Sequence, residues 1–180
     1  MIDIALLAFA QLLFGWLIAD LLGGIVHWLE DRMLSARTPL IGHVIAANRL
    51  HHAEPMAFTA KGLVERNLAT WLVACSVSVL WVLLFGPSLV WVAASVGGAV
   101  SSVAHFLAHV RSGNRVVRTL QDIGLLQSAG HHAGHHRPGA ARRYCVLTSL
   151  LNPILDNLGF WSALERIGSQ CGIRPVEDMA

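Results

Sequence analysis

The sequence predicts an all-α integral membrane protein, a bundle of about three transmembrane helices with a histidine-rich helical cap. Of the 180 residues, 54% are apolar and 13% are charged, whereas soluble domains carry roughly 25% charged residues. The apolar residues gather in three long runs, and ten histidines lie near the ends of those runs or outside them. Because the chain has neither an internal repeat nor a low-complexity linker, we expect a single membrane-embedded domain over residues 1–180.

The three apolar runs cover residues 4–26, 68–85 and 89 to about 110. Each is close to the roughly 20 residues that a helix needs to cross the hydrocarbon core. The first run has no basic leader and no cleavage site of small residues, so we interpret it as a span rather than a signal peptide. Only Gly86, Pro87 and Ser88 separate the second run from the third, which predicts a tight helical hairpin.

The placement of charge predicts the orientation of the three spans. All thirteen lysines and arginines lie either between the first and second spans or after the third. By the positive-inside bias these two segments are cytoplasmic, which places the N-terminus and the hairpin outside. Basic and aromatic residues are not interleaved in the way that single-stranded nucleic acids require, so we expect no nucleic-acid partner.

With this topology every histidine falls on the cytoplasmic side, and we expect the active site there. Four groups contain nine of the ten histidines, and one histidine stands alone. The groups are His27 at the end of the first span, the pair His51 and His52, the pair His105 and His109 in the third span, and the run His131, His132, His135 and His136; His43 is the isolated one.

Spacing within the groups predicts which rings face a common centre. Residues three and four apart share a helix face, so His105 and His109 can point at one ion together. The same spacing relates His132 to His135 and His136 in the last group. If that stretch is helical, His131 is rotated by about 100° from His132, which makes it the weakest member of its group.

The remaining histidines leave more than one interpretation open. His51 and His52 are adjacent, so their rings diverge. Each could bind a different ion, or one could bind while the other supports it. We interpret the isolated His43 as a polar anchor near the membrane interface.

Eight clustered imidazoles predict metal binding, because ionisable groups at membrane depth usually pair or line a functional cavity. A catalytic zinc takes only three protein ligands, so eight rings suit two ions of four nitrogens each. Imidazole accommodates zinc, copper, iron or nickel. The HExxH of zinc hydrolases is absent, as are the glutamate and ExxH ligands of soluble di-iron bundles. Three cysteines without a CxxC pair argue against a zinc-thiolate site. These features favour a di-iron site that oxidises an unactivated hydrocarbon chain.

Carboxylates close to the histidine groups are candidates for a supporting role. A carboxylate that accepts the free ring N–H of a ligand histidine fixes its tautomer and orientation. Asp20 lies seven residues before His27 on the same helix face, so it could reach that ring. It could equally be a buried polar residue that hydrogen-bonds to a neighbouring helix. The candidates are Asp20, Asp31, Glu54 and Asp122.

Several spaced motifs resemble one known family. It contains the plasmanylethanolamine desaturases of animals and bacteria and the plant plastid fatty acid desaturase that acts on phosphatidylglycerol, the lipid desaturase domain family. The resemblance runs in order from about residue 16 to residue 176. It is carried by residues 20–31, 49–55, 105–109, 132–138, 144–148, 151–156 and 159–161.

The resemblance implies an oxidoreductase that introduces a double bond into the acyl or alkyl chain of a membrane lipid. It implies two iron ions, dioxygen as co-substrate and an external electron donor, a cytochrome b5-like or ferredoxin-like protein. No catalytic residue is expected beyond the metal ligands. Around the HxxxH motif the chain departs from the animal members, which leaves the choice of lipid open. The histidine boxes of the family fall on His27, His51, His52, His105, His109, His132, His135 and His136.

Three other functions share some of these features. A di-iron lipid hydroxylase would use the same site but return oxygen to the carbon. A metal-binding transporter is disfavoured because the histidines gather on one side and leave no ligand path through the spans. A zinc-dependent lipid hydrolase is disfavoured by the ligand count and by the missing general base.

Overall fold

The computed structural model describes residues 2–172 and 175–176, and within them the chain is helical with no strand. The first helix, α1 (Ile2–Trp28), continues into a π-helical turn, Leu29–Met33. The helices that follow are α2 (Gly42–Ala53), a short 3-10 turn (Phe58–Ala60), α3 (Leu63–Phe85), α4 (Leu89–His109), α5 (Arg115–Asp122), α6 (Ala129–His132), α7 (Leu151–Asn157) and α8 (Phe160–Gln170).

Three of these elements are long and apolar enough to cross a membrane: residues Asp3–Met33, Leu63–Phe85 and Leu89–His109. The prediction of an all-α membrane bundle with three spans is therefore confirmed. The helix of the second span begins at Leu63, before the predicted run, because Glu65 and Arg66 lower the hydropathy there without interrupting the helix.

The hairpin between the second and third spans lies where the sequence predicts it. Gly86 ends α3 with a φ of 75°, a conformation that glycine adopts without the steric cost of a side chain. Ser88 then caps α4, because its hydroxyl accepts a hydrogen bond from the Trp91 N–H at 3.1 Å.

Helix α4 packs against both α1 and α3. Small residues allow α1 and α4 to approach closely, as is common in membrane helices. A Cβ atom at Gly15 would collide with the backbone carbonyl of Val90, and one at Gly97 would lie 2.8 Å from the Ala19 Cβ. The first and third spans therefore pack with their backbones close together at these two glycines.

A segment without regular secondary structure, Tyr144–Thr148, lies buried against α1, and we call it the inserted segment. Helix α1 makes room for it at Gly24, where a Cβ would lie 2.7 Å from the Cys145 Sγ. Irregular backbone near a membrane requires internal hydrogen-bond partners. Side chains from α1, α7 and the loop before α6 supply them.

Asp20 of α1 binds the end of the inserted segment. Its carboxylate accepts hydrogen bonds from the Leu147 N–H at 2.9 Å and from the Thr148 hydroxyl at 2.5 Å. Asn152 accepts from the Cys145 N–H at 3.0 Å and donates to the Cys145 carbonyl at 2.7 Å. Gln127 donates to that same carbonyl, also at 2.7 Å. The segment is therefore held by buried polar side chains rather than by a sheet or a helix.

Substitution Asp20→Ala should destabilise the fold, because it leaves the Leu147 N–H and the Thr148 hydroxyl buried without this acceptor. Loss of such a partner costs about 1–3 kcal/mol. The melting temperature of the detergent-purified protein should fall by several degrees. The matched control is Asp3→Ala at an exposed position of the same helix. Equal melting temperatures for the two variants would contradict the assigned role of Asp20.

Candidate metal centre

The predicted histidines converge in two adjoining clusters. The first, the five-histidine cluster, comes from α2, α4, α6 and the turn after α6. The second, the aspartate cluster, comes from α1, its π-helical turn, α2 and the turn after α6. Within each cluster one ligand atom from every residue lies within 4.8 Å of all the others. The members are His51, His105, His109, His132 and His136 in the first, and His27, Asp31, His52 and His135 in the second.

Distances within the five-histidine cluster fit ligands of one cation. The Nε2 atom of His132 lies 2.9 Å from that of His105, 2.8 Å from that of His109 and 2.9 Å from that of His136. Bonds of about 2.1 Å made at right angles to a cation place adjacent nitrogens about 3.0 Å apart. One shared proton can link two rings but cannot link four. A metal ion would satisfy all of these nitrogens together.

The aspartate cluster is centred on the buried carboxylate of Asp31. Its Oδ2 atom lies 3.4 Å from the His27 Nε2, 3.1 Å from the His52 Nε2 and 3.3 Å from the His135 Nε2. The Nε2 atoms of His27 and His135 are buried without a hydrogen-bond partner. Three ring nitrogens and one carboxylate oxygen around a common point form a typical site for a divalent transition metal.

The π-helical turn carries Asp31 at the end of the first span. The turn is closed by a bond from the Leu34 N–H to the Leu29 carbonyl at 2.9 Å. Turns of this kind are rare and occur frequently at functional sites. Since Asp31 follows His27 by four residues, the carboxylate and the ring face the same centre.

Burial lowers the pKa of three cluster histidines outside the spans, His51, His132 and His136, and so favours their neutral form. It lowers the pKa of His51 to about 2 and that of His136 to about 3, and the neighbouring rings act in the same direction. For His132 the same causes hold the pKa far below its usual range. Neutral imidazole offers the lone pair that a metal requires.

Backbone carbonyls fix the tautomer of two rings in the aspartate cluster. Because a carbonyl oxygen can only accept, Nδ1 of His27 donates to the Tyr144 carbonyl at 3.0 Å, and Nδ1 of His135 donates to the Arg142 carbonyl at 2.7 Å. Each bond leaves the Nε2 lone pair free to face the centre. The inserted segment therefore orients a ring of the aspartate cluster directly.

Asn48 supports the carboxylate of the aspartate cluster. Its amide donates to the Asp31 Oδ1 at 2.5 Å, which leaves Oδ2 directed at the three rings. Sequence reasoning did not select Asn48 or the two carbonyls. Only Asn48 carried a usable signal, because it lies one helical turn before His51 and His52 and therefore shares their side of α2.

The other predicted positions have different surroundings. His43 is exposed on α2 and belongs to neither cluster. His131 also lies outside both, although its carbonyl accepts a hydrogen bond from Arg143 at 2.9 Å. Helical spacing predicted that His135 and His132 share a centre, and this prediction is wrong. Helix α6 ends at His132, and the turn after it carries His135 to the aspartate cluster.

The four carboxylates that the sequence offered as supporting residues lie in four different surroundings. Asp31 is itself a member of the aspartate cluster rather than a carboxylate that supports one of its histidines. Asp20 binds the inserted segment instead of a ring. Glu54 is exposed just after α2, and Asp122 is exposed at the last residue of α5. The ring N–H groups of His27 and His135 are bound by backbone carbonyls.

Comparison with known proteins agrees with the geometry. The sequence profile of the lipid desaturase domain matches residues 16–178. The chain belongs to the lipid desaturase domain family. The resemblance drawn from the motifs is thus confirmed, and so is the prediction of an oxidoreductase, because the curated relatives of this lipid desaturase domain are named desaturases.

Three relatives illustrate the similarity. A protein named probable fatty acid desaturase from Acanthamoeba polyphaga mimivirus is 30% identical, over 93% of this chain and 86% of its own length. The plasmanylethanolamine desaturase of Myxococcus xanthus is 29% identical, over 96% of this chain and 64% of its own. Fatty acid desaturase 4-like 2 of Arabidopsis thaliana, a chloroplastic protein, is 33% identical, over 89% and 60%. The chain thus spans less than two thirds of the last two. No solved structure matches it.

In this lipid desaturase domain, His132→Ala should lower the bound metal by at least one ion per chain. The reason is that the His132 Nε2 approaches three other ligand nitrogens within 2.9 Å. Plasma mass spectrometry of detergent-purified protein measures the content, with two ions expected for the unsubstituted chain. The matched control is His131→Ala, at the adjacent position outside both clusters. Equal metal loss in the two variants would refute the assignment.

Substitution Asn48→Ala should weaken metal binding at the aspartate cluster without removing a cluster member. Loss of such an orienting partner lowers metal affinity by roughly 10- to 100-fold. Competition with a chelator measures the affinity of each ion. Asn114→Ala is the control, because Asn114 caps the exposed helix α5. Unchanged competition by Asn48→Ala would mean that Asp31 needs no orienting bond.

Proposed function

We propose that the chain is a dioxygen-dependent di-iron desaturase that introduces a double bond into the acyl or alkyl chain of a membrane lipid. One observation carries the proposal: the two clusters adjoin at one end of an apolar three-span bundle. The rings of His52 and His136, one from each cluster, have centroids 4.9 Å apart. A binuclear centre is therefore within reach of the lipid chains that surround the spans.

The chemistry of the donors fits iron. Eight imidazoles and one carboxylate offer nitrogen and oxygen without thiolate, a set that suits iron among the first-row metals. The five-histidine cluster would hold one ion, and the aspartate cluster would hold the other. When bound, the two ions supply the capacity to reduce dioxygen and to remove hydrogen from an unactivated carbon.

The protein's own side chains position the ions and exclude water. The Phe58 ring stacks on His105, with centroids 4.7 Å apart, and meets His51 at 5.1 Å. On the other side Tyr144 meets His135 at 5.0 Å. These aromatic rings shield the two clusters, and a dry site protects a reactive centre from side reactions. No side chain needs to act as a nucleophile.

The reaction balances with an external donor. Two adjacent methylenes lose two hydrogens, and the donor contributes two electrons together with two protons from water. Dioxygen accepts all four electrons and four protons and leaves as two waters. We propose a cytochrome b5-like or ferredoxin-like protein as this donor, because two of the four electrons that dioxygen takes up must come from outside the lipid.

The relatives' names support a lipid chain as the substrate, since they include an ethanolamine ether lipid in one case and fatty acids in others. Both clusters lie at the ends of the spans where the flanking segments carry arginine. By the positive-inside bias we propose that this end is cytoplasmic and that the N-terminus is outside. We further propose that residues 1–180 act as one membrane-embedded desaturase domain.

Purified protein reconstituted with iron, dioxygen, a reductant and membrane lipid should yield a product lighter by two hydrogens. His109→Ala should reduce the rate by at least a hundredfold, because it removes a nitrogen from the five-histidine cluster, whereas His43→Ala should keep most of the activity. Mass spectrometry of the extracted lipids is the measurement. A product heavier by one oxygen would instead identify a hydroxylase with the same centre. No change in any lipid would refute both activities.

A further inference from the structure

The metal centre has one partly exposed edge. Six of the nine cluster members are buried, and three are only half-buried: His52, His109 and His136. These three rings adjoin one another, because the ring centroid of His136 lies 4.9 Å from that of His52 and 5.0 Å from that of His109. We call them the open edge. Since His52 belongs to the aspartate cluster and the other two to the five-histidine cluster, this edge gives access to both clusters.

Exposed arginines follow the open edge closely along the chain. Arg111 comes two residues after His109, and Arg137 comes directly after His136. A third exposed arginine, Arg142, ends the loop that begins at Arg137. Within the described ranges, 2–172 and 175–176, none of these three guanidinium groups is engaged in an ion pair. Their positive charges are therefore available to a partner.

The loop 137–142 is bonded to the metal centre. Residues 137–140 form a turn, closed by a hydrogen bond of 2.9 Å from the last N–H to the first carbonyl. Gly139 has a φ of 72°, the conformation that the third position of a type II turn requires. At the end of the loop the Arg142 carbonyl accepts the hydrogen bond from the His135 Nδ1 at 2.7 Å. The loop is thus a short, defined surface whose backbone contacts a ring of the aspartate cluster.

The segments beside the open edge carry an excess of positive charge. Residues 110–143 contain six arginines and a single carboxylate, that of Asp122. Outside this segment the exposed Glu54 follows His52 by two residues. A surface with such a balance of charge attracts acidic molecules and speeds their association.

An electron donor needs a surface of this kind. The rate of electron transfer falls steeply with distance, so a donor has to dock where little protein covers the metal centre. Elsewhere the ligand rings are covered: Phe58 stacks on His105 with centroids 4.7 Å apart, and Tyr144 meets His135 at 5.0 Å. Only at the open edge are ligand rings of the two clusters half-buried rather than buried.

We propose that the open edge, together with Arg111, Arg137 and Arg142, is the docking surface for a small acidic one-electron carrier protein. Each docking event oxidises the carrier by one electron and reduces the metal centre by one. Two events supply the two electrons that the reaction takes from outside the lipid. The inference rests on the proposed function in taking the bound metal to be the redox centre. The three arginines bind the carrier and have no part in removing hydrogen.

Anionic lipid headgroups are the competing partner for these arginines, because basic residues near the ends of spans attract them. A carrier protein is favoured by the position of the arginines. They adjoin half-buried ligand rings, and the loop of two of them is bonded to His135. Binding of headgroups requires neither feature.

The test measures binding of two acidic carriers, the soluble haem domain of a cytochrome b5 and a plant-type ferredoxin. The metal-loaded full chain is held in nanodiscs of phosphatidylcholine, so that no anionic lipid competes. Surface plasmon resonance gives the association and dissociation rates over a range of salt concentrations. We expect at least one carrier to bind, with an association rate that falls as salt increases.

The combined variant Arg137→Gln and Arg142→Gln should associate with the carrier about tenfold more slowly, because electrostatic steering is lost. Its dissociation rate should change little. The matched control combines Arg37→Gln with Arg166→Gln, which removes the same charge from exposed positions in elements that contribute no cluster member. The control should associate at nearly the unsubstituted rate. Arg111→Gln, added to the first variant, should slow association further.

Four results would overturn the proposal: no binding of either carrier, association that is independent of salt, equal slowing in the two combined variants, or loss of bound metal in the first. The last would mean that the arginines support the metal centre. Added phosphatidylserine tests the competing partner. If it raises the melting temperature of the unsubstituted chain but not of the first variant, while carrier binding is equal in both, the arginines bind lipid and the proposal is wrong.

The proposed function can fail separately. A chain that binds a carrier through these arginines, but desaturates no lipid even with a chemical reductant, would refute the desaturase and support the docking surface. Desaturation with a chemical reductant in a chain that binds neither carrier would do the reverse.

Discussion

The fold depends on one constraint, that irregular backbone buried against membrane helices must find hydrogen-bond partners inside the protein. The inserted segment meets it through Asp20, Gln127 and Asn152, all of which are buried. Held in this way, the segment presents the Tyr144 carbonyl to His27 at 3.0 Å. The orientation of a ring in the metal centre therefore originates in a carboxylate two helical turns away along α1.

Helix α2 links the two halves of the centre. Its adjacent histidines, His51 and His52, face different clusters, as one of the two interpretations of the sequence allowed. The same helix carries Asn48, which orients Asp31. Both clusters therefore share one short element.

Composition and spacing were enough to predict the spans, the turn at Gly86 and the eight histidines that meet, because these depend on local periodicity and residue type. The partner of Asp20 could not be predicted, since Thr148 lies 128 residues further along the chain. Neither could the cluster of His135, which depends on α6 ending at His132. The sequence shows that Asp31 follows His27 by four residues. Only the tertiary distances show that its carboxylate is a member of the cluster and not an acceptor for the ring N–H of a ligand histidine.

The long separation between Asp20 and the inserted segment also bears on biogenesis. All three spans are synthesised before residues 127–152, so they can enter the membrane while the inserted segment is still unmade. Docking of that segment on α1 then brings the residues after α6 against α4 and α2. Because His132, His135 and His136 belong to this late part of the chain, neither cluster is complete until membrane insertion has finished. A metal ion that needs a whole cluster can therefore bind only at the close of assembly, and a stalled or truncated nascent chain would carry neither cluster complete.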